Sequence, residues 1–371
     1  MPVTLLTGFL GAGKTTLLNH LILDPDAGRI VVIMNEFGDV GLDHDLIEAS
    51  TEETILLPSG CLCCSIRGDL LKTLGKLIAR RSKGDLSFDR VVVETTGIAD
   101  PGPILHSLVV DQIVGPAFRM DGVVTLADAA TGPSTLETQE EAVRQIAMAD
   151  LIVLSKTDLV TPAALSRFKA QIAEINGPTR CVQATHGYVP TGTLFGLSAM
   201  YDGVTAAEVS KWLDADASRY VASPRHTDSD VEDSRPTESH SAKGHAHTGH
   251  HHHQIISASI EIHQLIAPKV FDFWLDTLIG LKGPNILRMK GIVHVEDVSC
   301  PFVFHGVQHI FDAPVPLESW SGEDTVSRVV VIARGMERDD LAASLNILRV
   351  QPDAADAAPR GMMTQYAKMV H

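Results

Sequence analysis

The chain has 371 residues, enough for two domains with separate cores, and its 44% hydrophobic and 20% charged content suits a globular protein rather than a disordered one. A formal net charge of -16 argues against nucleic acid or an anionic membrane as partner, because phosphate is held mainly by Lys and Arg. No apolar run reaches the roughly 18 residues of a membrane span, the amino terminus lacks the basic region of a secretion signal, and the five cysteines are odd in number. A cytoplasmic protein with reduced thiols is therefore expected, in which metal or redox chemistry outranks disulfides.

Short β-branched runs at residues 3–6, 29–34, 54–57, 90–94, 122–126 and 151–155 alternate with amphipathic stretches. This predicts an α/β domain over residues 1–222, built on a doubly wound, mostly parallel sheet. Directly after the first run, "GFLGAGKT" at residues 8–15 has the glycines, Lys and Ser/Thr of a P-loop, and the helical pattern "TTLLNHLIL" follows it. Gly8, Gly11 and Gly13 allow a tight fold in which successive N–H groups, through Ala12, Lys14, Thr15 and Thr16, point at phosphates at a helix N-terminus. Lys14 would reach the β- and γ-phosphates, and the Thr15 hydroxyl would bind Mg2+.

After the second strand, "NEFGDVGLD" supplies Glu36, Asp39 and Asp43, and after the third, "GCLCCSIRGDL" places Cys61, Cys63 and Cys64 within four positions. In an extended segment Cys61 and Cys63 share a face, and Cys64 joins them if the chain turns into a helix near Ser65. That helix is predicted from Ile66, Leu70, Leu71, Leu74, Leu77 and Ile78 at three- and four-residue steps. A helix N-terminus and Arg67 both favour thiolates. Two or three sulfurs fall short of the four ligands of a closed structural zinc site, so an ion here could exchange. Glu36 and Asp39 are candidate oxygen ligands; the alternative for both is a solvated loop that caps a helix. Cys61 and Cys64 also have C-x-x-C redox spacing, against which stand Cys63 inside the pair and the lack of an electron-transfer motif. Cys181 and Cys300 are isolated and expected in the core.

"RVVVETTG" reads as a buried strand ending in Glu94, whose carboxylate would lie near Mg2+, with the Gly97 N–H placed to sense a γ-phosphate. "LIVLSKTD" ends a later strand with Ser155, Lys156 and Asp158. An Asp there can accept both N–H groups of guanine while the Lys156 stem packs on the base. Adenine has an acceptor at N1, so a buried Asp158 would reject it.

Residues 223–254 have little to bury and are rich in histidine, which predicts a disordered linker. His240, His245, His247, His250, His251, His252 and His253 would form a mobile imidazole tract that suits Zn2+, Ni2+ or Co2+ loosely; the alternative is a polar spacer. From residue 255 to 353 the pattern is strand, helix, three strands, helix. It predicts a smaller C-terminal α+β domain with its helices on one sheet face, followed by a flexible tail over 354–371.

Taken in order, "TGFLGAGKTTLLNHLI", "NEFGDVGLD", "GCLCCSIRGDL", "ETTGIADPGPI" and "SKTD" resemble the CobW-type, YjiA-like metallochaperone GTPases of the SIMIBI branch of P-loop proteins. The resemblance continues through "RMKGIVHVED" and "FHGVQHIF" and so covers most of the chain. It implies hydrolysis of Mg2+-bound GTP by water, and a transition metal at the cysteines with acidic residues of "NEFGDVGLD" as helpers. Zinc is the default metal, with cobalt for cobalamin synthesis or iron for nitrile hydratase activation as family alternatives. It also implies a client metalloprotein docked through the carboxyl domain and a homodimer formed on GTP binding. Ser155 stands where the family has Asn or Thr, which bears on one tie to the P-loop and not on base selection. Ile98 follows Gly97 where Ras has its Gln, so no water-orienting base is named and slow intrinsic hydrolysis is expected. Two other classes stay open: a metal buffer or sensor regulated by nucleotide without turnover, and a small-molecule kinase, against which Asp158 argues.

Overall fold

The computed structural model describes residues 1–35, 54–57, 65–177, 179–198, 205, 209, 255–307, 310–311, 314–317, 320 and 325–351. The expectations for the 223–254 linker and the 354–371 tail lie outside these residues.

The first domain runs β1 (Pro2–Gly8), α1 (Lys14–Leu23), β2 (Ile30–Asn35), β3 (Thr54–Leu57), α2 (Ser65–Ser82), β4 (Arg90–Glu94), α3 (Gly102–Val110) and β5 (Arg119–Asp128). It continues through α4 (Gly132–Thr138), α5 (Glu140–Ala147), β6 (Leu151–Ser155), α6 (Pro162–Asn176), β7 (Arg180–Gln183) and α7 (Thr191–Leu194). Among the described residues the seven strands lie in the order β3-β2-β4-β1-β5-β6-β7, and every pairing is parallel. This is the doubly wound parallel sheet expected from the sequence. Its near-continuous Val, Ile and Leu runs are those of strands covered on both faces. Leu70, Leu74 and Leu77 of α2 and Leu105 and Leu108 of α3 pack over Leu5 and Val93 on one face. Leu17, Leu18 and Leu21 of α1 pack over Leu6, Val124 and Val153 on the other. Strand β7 escapes the sequence pattern because it is a four-residue edge strand, RCVQ, with both ends exposed.

With β1 between β4 and β5, the chain crosses from one side of β1 to the other. Such a switch opens a crevice beyond the carboxyl ends of the strands, where ligands of open α/β sheets bind. The P-loop leaves β1 at that edge.

The second domain runs β8 (Ile255–Ile262), α8 (Pro268–Lys282), β9 (Ile286–Val293), β10 (Phe302–Val307), β11 (Ile310–Phe311), β12 (Val315–Pro316), β13 (Ser327–Arg334) and α9 (Arg338–Asn346). The strands form an antiparallel sheet in the order β11-β10-β9-β13-β8, with β12 on β10. The single strand expected over 301–311 is two: β10 and β11 pair with each other, Val307 opposite Ile310. Both arms of this hairpin are apolar, so alternation alone reads straight through the reversal. Phe271, Trp274 and Leu278 of α8 and Leu341 and Leu345 of α9 cover one sheet face around Phe302 and Val331.

The opposite face docks on the first domain. Leu287 and Ile332 join Ile146, Phe168 and Ile172 in one apolar cluster. Beside it Arg288, 3% exposed, donates to the carbonyls of Met148 and Ala149 and pairs with Asp150. The carbonyls at the end of α5 lack helical partners. Arg288 satisfies them together with Asn176, which donates to Ile146, Ala147 and Ala149, and with the Thr179 hydroxyl. The Asp150 carboxylate also accepts from the Val123 N–H at 2.9 Å.

Removing Arg288 leaves a buried carboxylate without its cation. We expect Arg288→Met to lower the unfolding free energy by about 3–5 kcal/mol in urea titrations. An unchanged midpoint would show that the two domains are held by apolar packing alone.

Candidate nucleotide site

The loop from β1 to α1 is shaped by its glycines. Gly8, Gly11 and Gly13 have φ of 144°, 74° and 95°, in the range where a side chain is strained. Gly8 is also pressed against β5: a Cβ on it would stand 2.6 Å from the Leu126 carbonyl oxygen. Gly13 caps α1 in a left-handed conformation, and the N-terminal N–H groups of α1 open toward the crevice. Lys14 is buried, and its ammonium donates to the carbonyls of Gly8 at 2.9 Å and Phe9 at 3.4 Å. Thr15 is partly buried and Thr16 exposed at the start of the same helix.

Strand β4 delivers the next group. Glu94, 6% exposed, lies level with Leu6 of β1 and Met34 of β2, so its carboxylate sits at the sheet edge from which the loop rises. The chain is then tied to β1 by the Thr95 N–H to the Leu6 carbonyl at 2.9 Å and the Thr95 hydroxyl to the Thr7 hydroxyl at 2.8 Å. Gly97 meets the P-loop backbone to backbone: a Cβ on it would fall 2.6 Å from the Leu10 nitrogen and 2.8 Å from its Cα. Only glycine fits there.

Strand β6 delivers Ser155, whose hydroxyl donates to the Ala12 carbonyl at 2.7 Å. The tie to the P-loop is therefore present with Ser in place of the family's Asn or Thr, because a hydroxyl suffices to reach a carbonyl this close. Lys156 is left-handed, φ 53°, and its ammonium lies 2.7 Å from the Asp128 carboxylate at the end of β5. Asp158 follows in a short turn over residues 157–159 and is exposed, not buried as base rejection would require of the protein alone.

Three contributors carry no motif and escaped the sequence reading. Asp128 anchors Lys156 and also accepts from the N–H groups of Ala130 and Thr131. Burial opposes its ionisation, but Lys156 and these donors win and hold its carboxyl below the ordinary carboxylate value. The turn after β7 packs on α1: the Gly187 Cα lies so close to Thr16 that a Cβ would stand 2.6 Å from its methyl group, and the His186 carbonyl is 3.1 Å from His20 Nε2. Gln145 of α5 grips the far side of the Gly97 loop.

Glu36, Asp39, Cys61, Cys63, Cys64, His245, His247, His250, His251, His252 and His253 lie outside the described residues. Among the described residues, no group of three or more His, Cys, Asp or Glu side chains is arranged to hold a metal ion. Cys181 and Cys300 are half-buried rather than fully in the core.

Comparison with known proteins now bears on this geometry. Residues 2–183 match the CobW/HypB/UreG nucleotide-binding domain, and residues 255–349 match the cobalamin synthesis protein CobW C-terminal domain. A protein of Pseudomonas aeruginosa named zinc chaperone CobW is 30% identical over 93% of this chain and 90% of its own. The chain belongs to the CobW family. Zinc chaperone YjiA of Escherichia coli is 29% identical over 94% of this chain and 99% of its own length. The crystal structure of the Zn(II)-bound YjiA GTPase superposes with a TM-score of 0.67 at 26% identity, over 94% of this chain and 99% of that one. A relative in Schizosaccharomyces pombe is named zinc-regulated GTPase metalloprotein activator 1 and is 29% identical over 91% of this chain and 83% of its own.

The depressed Asp128 carboxyl carries a pH signature. A carboxyl lowered by folding adds stability that is complete above its unfolded value, about 4, and lost as pH falls through the native value. The stability gap between the parent and Asp128→Asn should therefore hold from pH 7 to about 5 and narrow below about 4. Thermal unfolding in steps across that range measures it; a gap constant to pH 3 would mean Asp128 is not the anchor of Lys156.

Proposed function

We propose that this protein is a GTP-hydrolysing metallochaperone that couples nucleotide turnover to delivery of a transition metal, zinc by preference, to a client metalloprotein. The observation that carries the nucleotide part is the contact of Gly97 with Leu10, beside Lys14 and Glu94. Such a contact puts a free backbone N–H next to a phosphate cradle, where it can register a γ-phosphate. The donor set fits the substrate and its ion: backbone N–H groups and Lys14 for phosphate oxygens, and the Thr15 hydroxyl and Glu94 carboxylate, directly or through water, for Mg2+. Mg2+ would neutralise charge on the phosphates; catalysis by the chain itself is positioning and charge stabilisation, with Lys14 and the Gly97 N–H in fixed places. Lys156 and Asp158 would hold guanine, with Ser155 bracing the loop beneath it.

Zinc is cargo in this account. Support for it comes from the relatives named zinc chaperones and from the thiolate chemistry of Cys61, Cys63 and Cys64, with Glu36 or Asp39 as helpers and His245 to His253 as a loose collecting tract. Leu57, which precedes the cysteines at the end of β3, lies at the same carboxyl edge of the sheet as the P-loop, and α2 begins after them at Ser65. The carboxyl domain, residues 255–353, would meet the client, and GTP binding would favour a homodimer.

Multiple-turnover phosphate release tests the enzyme. The parent should hydrolyse GTP and leave ATP almost untouched. Asp158→Asn should weaken GTP binding by about 1.5–3 kcal/mol, the range for a hydrogen bond to a charged group, and leave zinc content unchanged. Equal use of ATP and GTP by the parent would overturn the assignment of Asp158. Binding without turnover, even with client present, would favour a nucleotide-regulated metal buffer.

A further inference from the structure

Gln145 is the polar residue on the buried side of α5, among Ala142, Ile146 and Ala147, and is 1% exposed. Its side-chain amide donates to two carbonyls 46 and 48 residues away in sequence, those of Ala99 and Gly97, each at 3.1 Å. Its own carbonyl accepts from the Thr125 hydroxyl at 2.9 Å, which pins the helix at this point to β5. The Gly97 peptide is therefore sandwiched, with the Leu10 backbone on one side and the Gln145 amide on the other.

The opposite end of that amide is unsatisfied. Gln145 Oε1 is buried without a hydrogen-bond partner among the described residues, and Gln145 borders a small cavity of about 30 Å³ that also touches Leu10 and Ala12 of the P-loop. Turning the amide over would set its oxygen against two carbonyl oxygens, so its orientation is determined. The amide thus commits both of its donated bonds to carbonyls of a single loop.

The consequence is geometric. Glycine at position 97 leaves the backbone free to rotate, and a rotating peptide does not aim its N–H. With the Gly97 carbonyl clamped and the Leu10 contact behind it, that freedom is gone. A donor already aimed at the place where charge develops needs no reorganisation during the reaction. We propose that Gln145 is a positioning residue for GTP hydrolysis, acting from behind the loop by fixing the Gly97–Ala99 carbonyls so that the Gly97 N–H faces the γ-phosphate. It supplies from α5 an order that the residue after Gly97, an isoleucine, does not.

This inference rests on the GTPase assignment, and the test separates the two. Gln145→Met keeps the volume and removes the donor; Gln145→Asn keeps the donor but is too short to reach both carbonyls. In the full-length protein, single-turnover GTP hydrolysis is measured beside the affinities for fluorescent GDP and a non-hydrolysable GTP analogue. GDP does not use the γ-phosphate loop, so its affinity should stay within about twofold while hydrolysis falls on the order of 100-fold in Gln145→Met, the scale of losing one preorganised donor, and less in Gln145→Asn. The GTP analogue should bind more weakly than GDP relative to the parent. Hydrolysis within twofold of the parent in either folded variant would overturn the proposal. So would a parallel loss of GDP affinity, which is the mark of a merely structural role. Should the Met variant fail to fold, the Asn variant decides by the same criteria. A parent that does not hydrolyse GTP would instead remove the GTPase assignment, and this inference with it.

Discussion

The site depends on one contact, that of Gly97 with Leu10. Two segments from neighbouring strands, β1 and β4, meet backbone to backbone with no space for a Cβ. Packing this tight cannot absorb a shift on one side without moving the other. The P-loop is held from beneath by β5 at Leu126 and from the flank by Ser155, and the Gly97 loop is held by Gln145. A phosphate that displaces Gly97 thus acts on a braced structure. Its neighbours on that path would be α5, through Gln145, and the strands β1 and β5.

The parts of this arrangement that recur as local patterns were legible in the sequence. The P-loop, the strand ending in Glu94 and the "SKTD" segment each join a periodic run to a residue type required by chemistry, and each lies where that pattern placed it. The strand β7 and the reversal between β10 and β11 were not legible, since a four-residue polar edge and a hairpin with two apolar arms give no distinctive period. Asp128, Gln145 and Arg288 were hidden for a different reason. Each acts on at least one partner distant in sequence, Lys156 for Asp128, the Gly97 loop for Gln145 and the end of α5 for Arg288, so the sequence near it does not announce the role. Asp158 shows the reverse failure: its residue type and position were readable, but its exposure depends on the surrounding surface, which a motif does not carry.

Helix α5 joins the two halves of the molecule. Within eleven residues the chain touches the Gly97 loop through Gln145, Asp100 through Arg144, and the second domain through the carbonyls and carboxylate that Arg288 holds. Arg144 lies 3.7 Å from Asp100, which itself caps the start of α3 by accepting from the Gly102 N–H. A change in nucleotide state that moves the Gly97 loop therefore has rigid, hydrogen-bonded neighbours leading toward the carboxyl domain. Apolar packing of Leu287 and Ile332 against Phe168 makes that domain part of the same body.

In the proposed cycle nucleotide and metal would share one equilibrium. Cys61, Cys63 and Cys64 fall between β3 and α2 in the chain, and β3 ends at the carboxyl edge of the sheet that carries the phosphate cradle; a metal held by these cysteines with fewer than four protein ligands would feel the γ-phosphate. Linkage demands reciprocity: if GTP strengthens zinc binding, zinc must strengthen GTP relative to GDP by the same factor. The direct measurement is a zinc titration against a chromophoric chelator with a non-hydrolysable GTP analogue, with GDP, and with no nucleotide. The account predicts tighter zinc binding in the GTP state by a coupling of about 1–3 kcal/mol. Equal zinc affinities in all three conditions would contradict it.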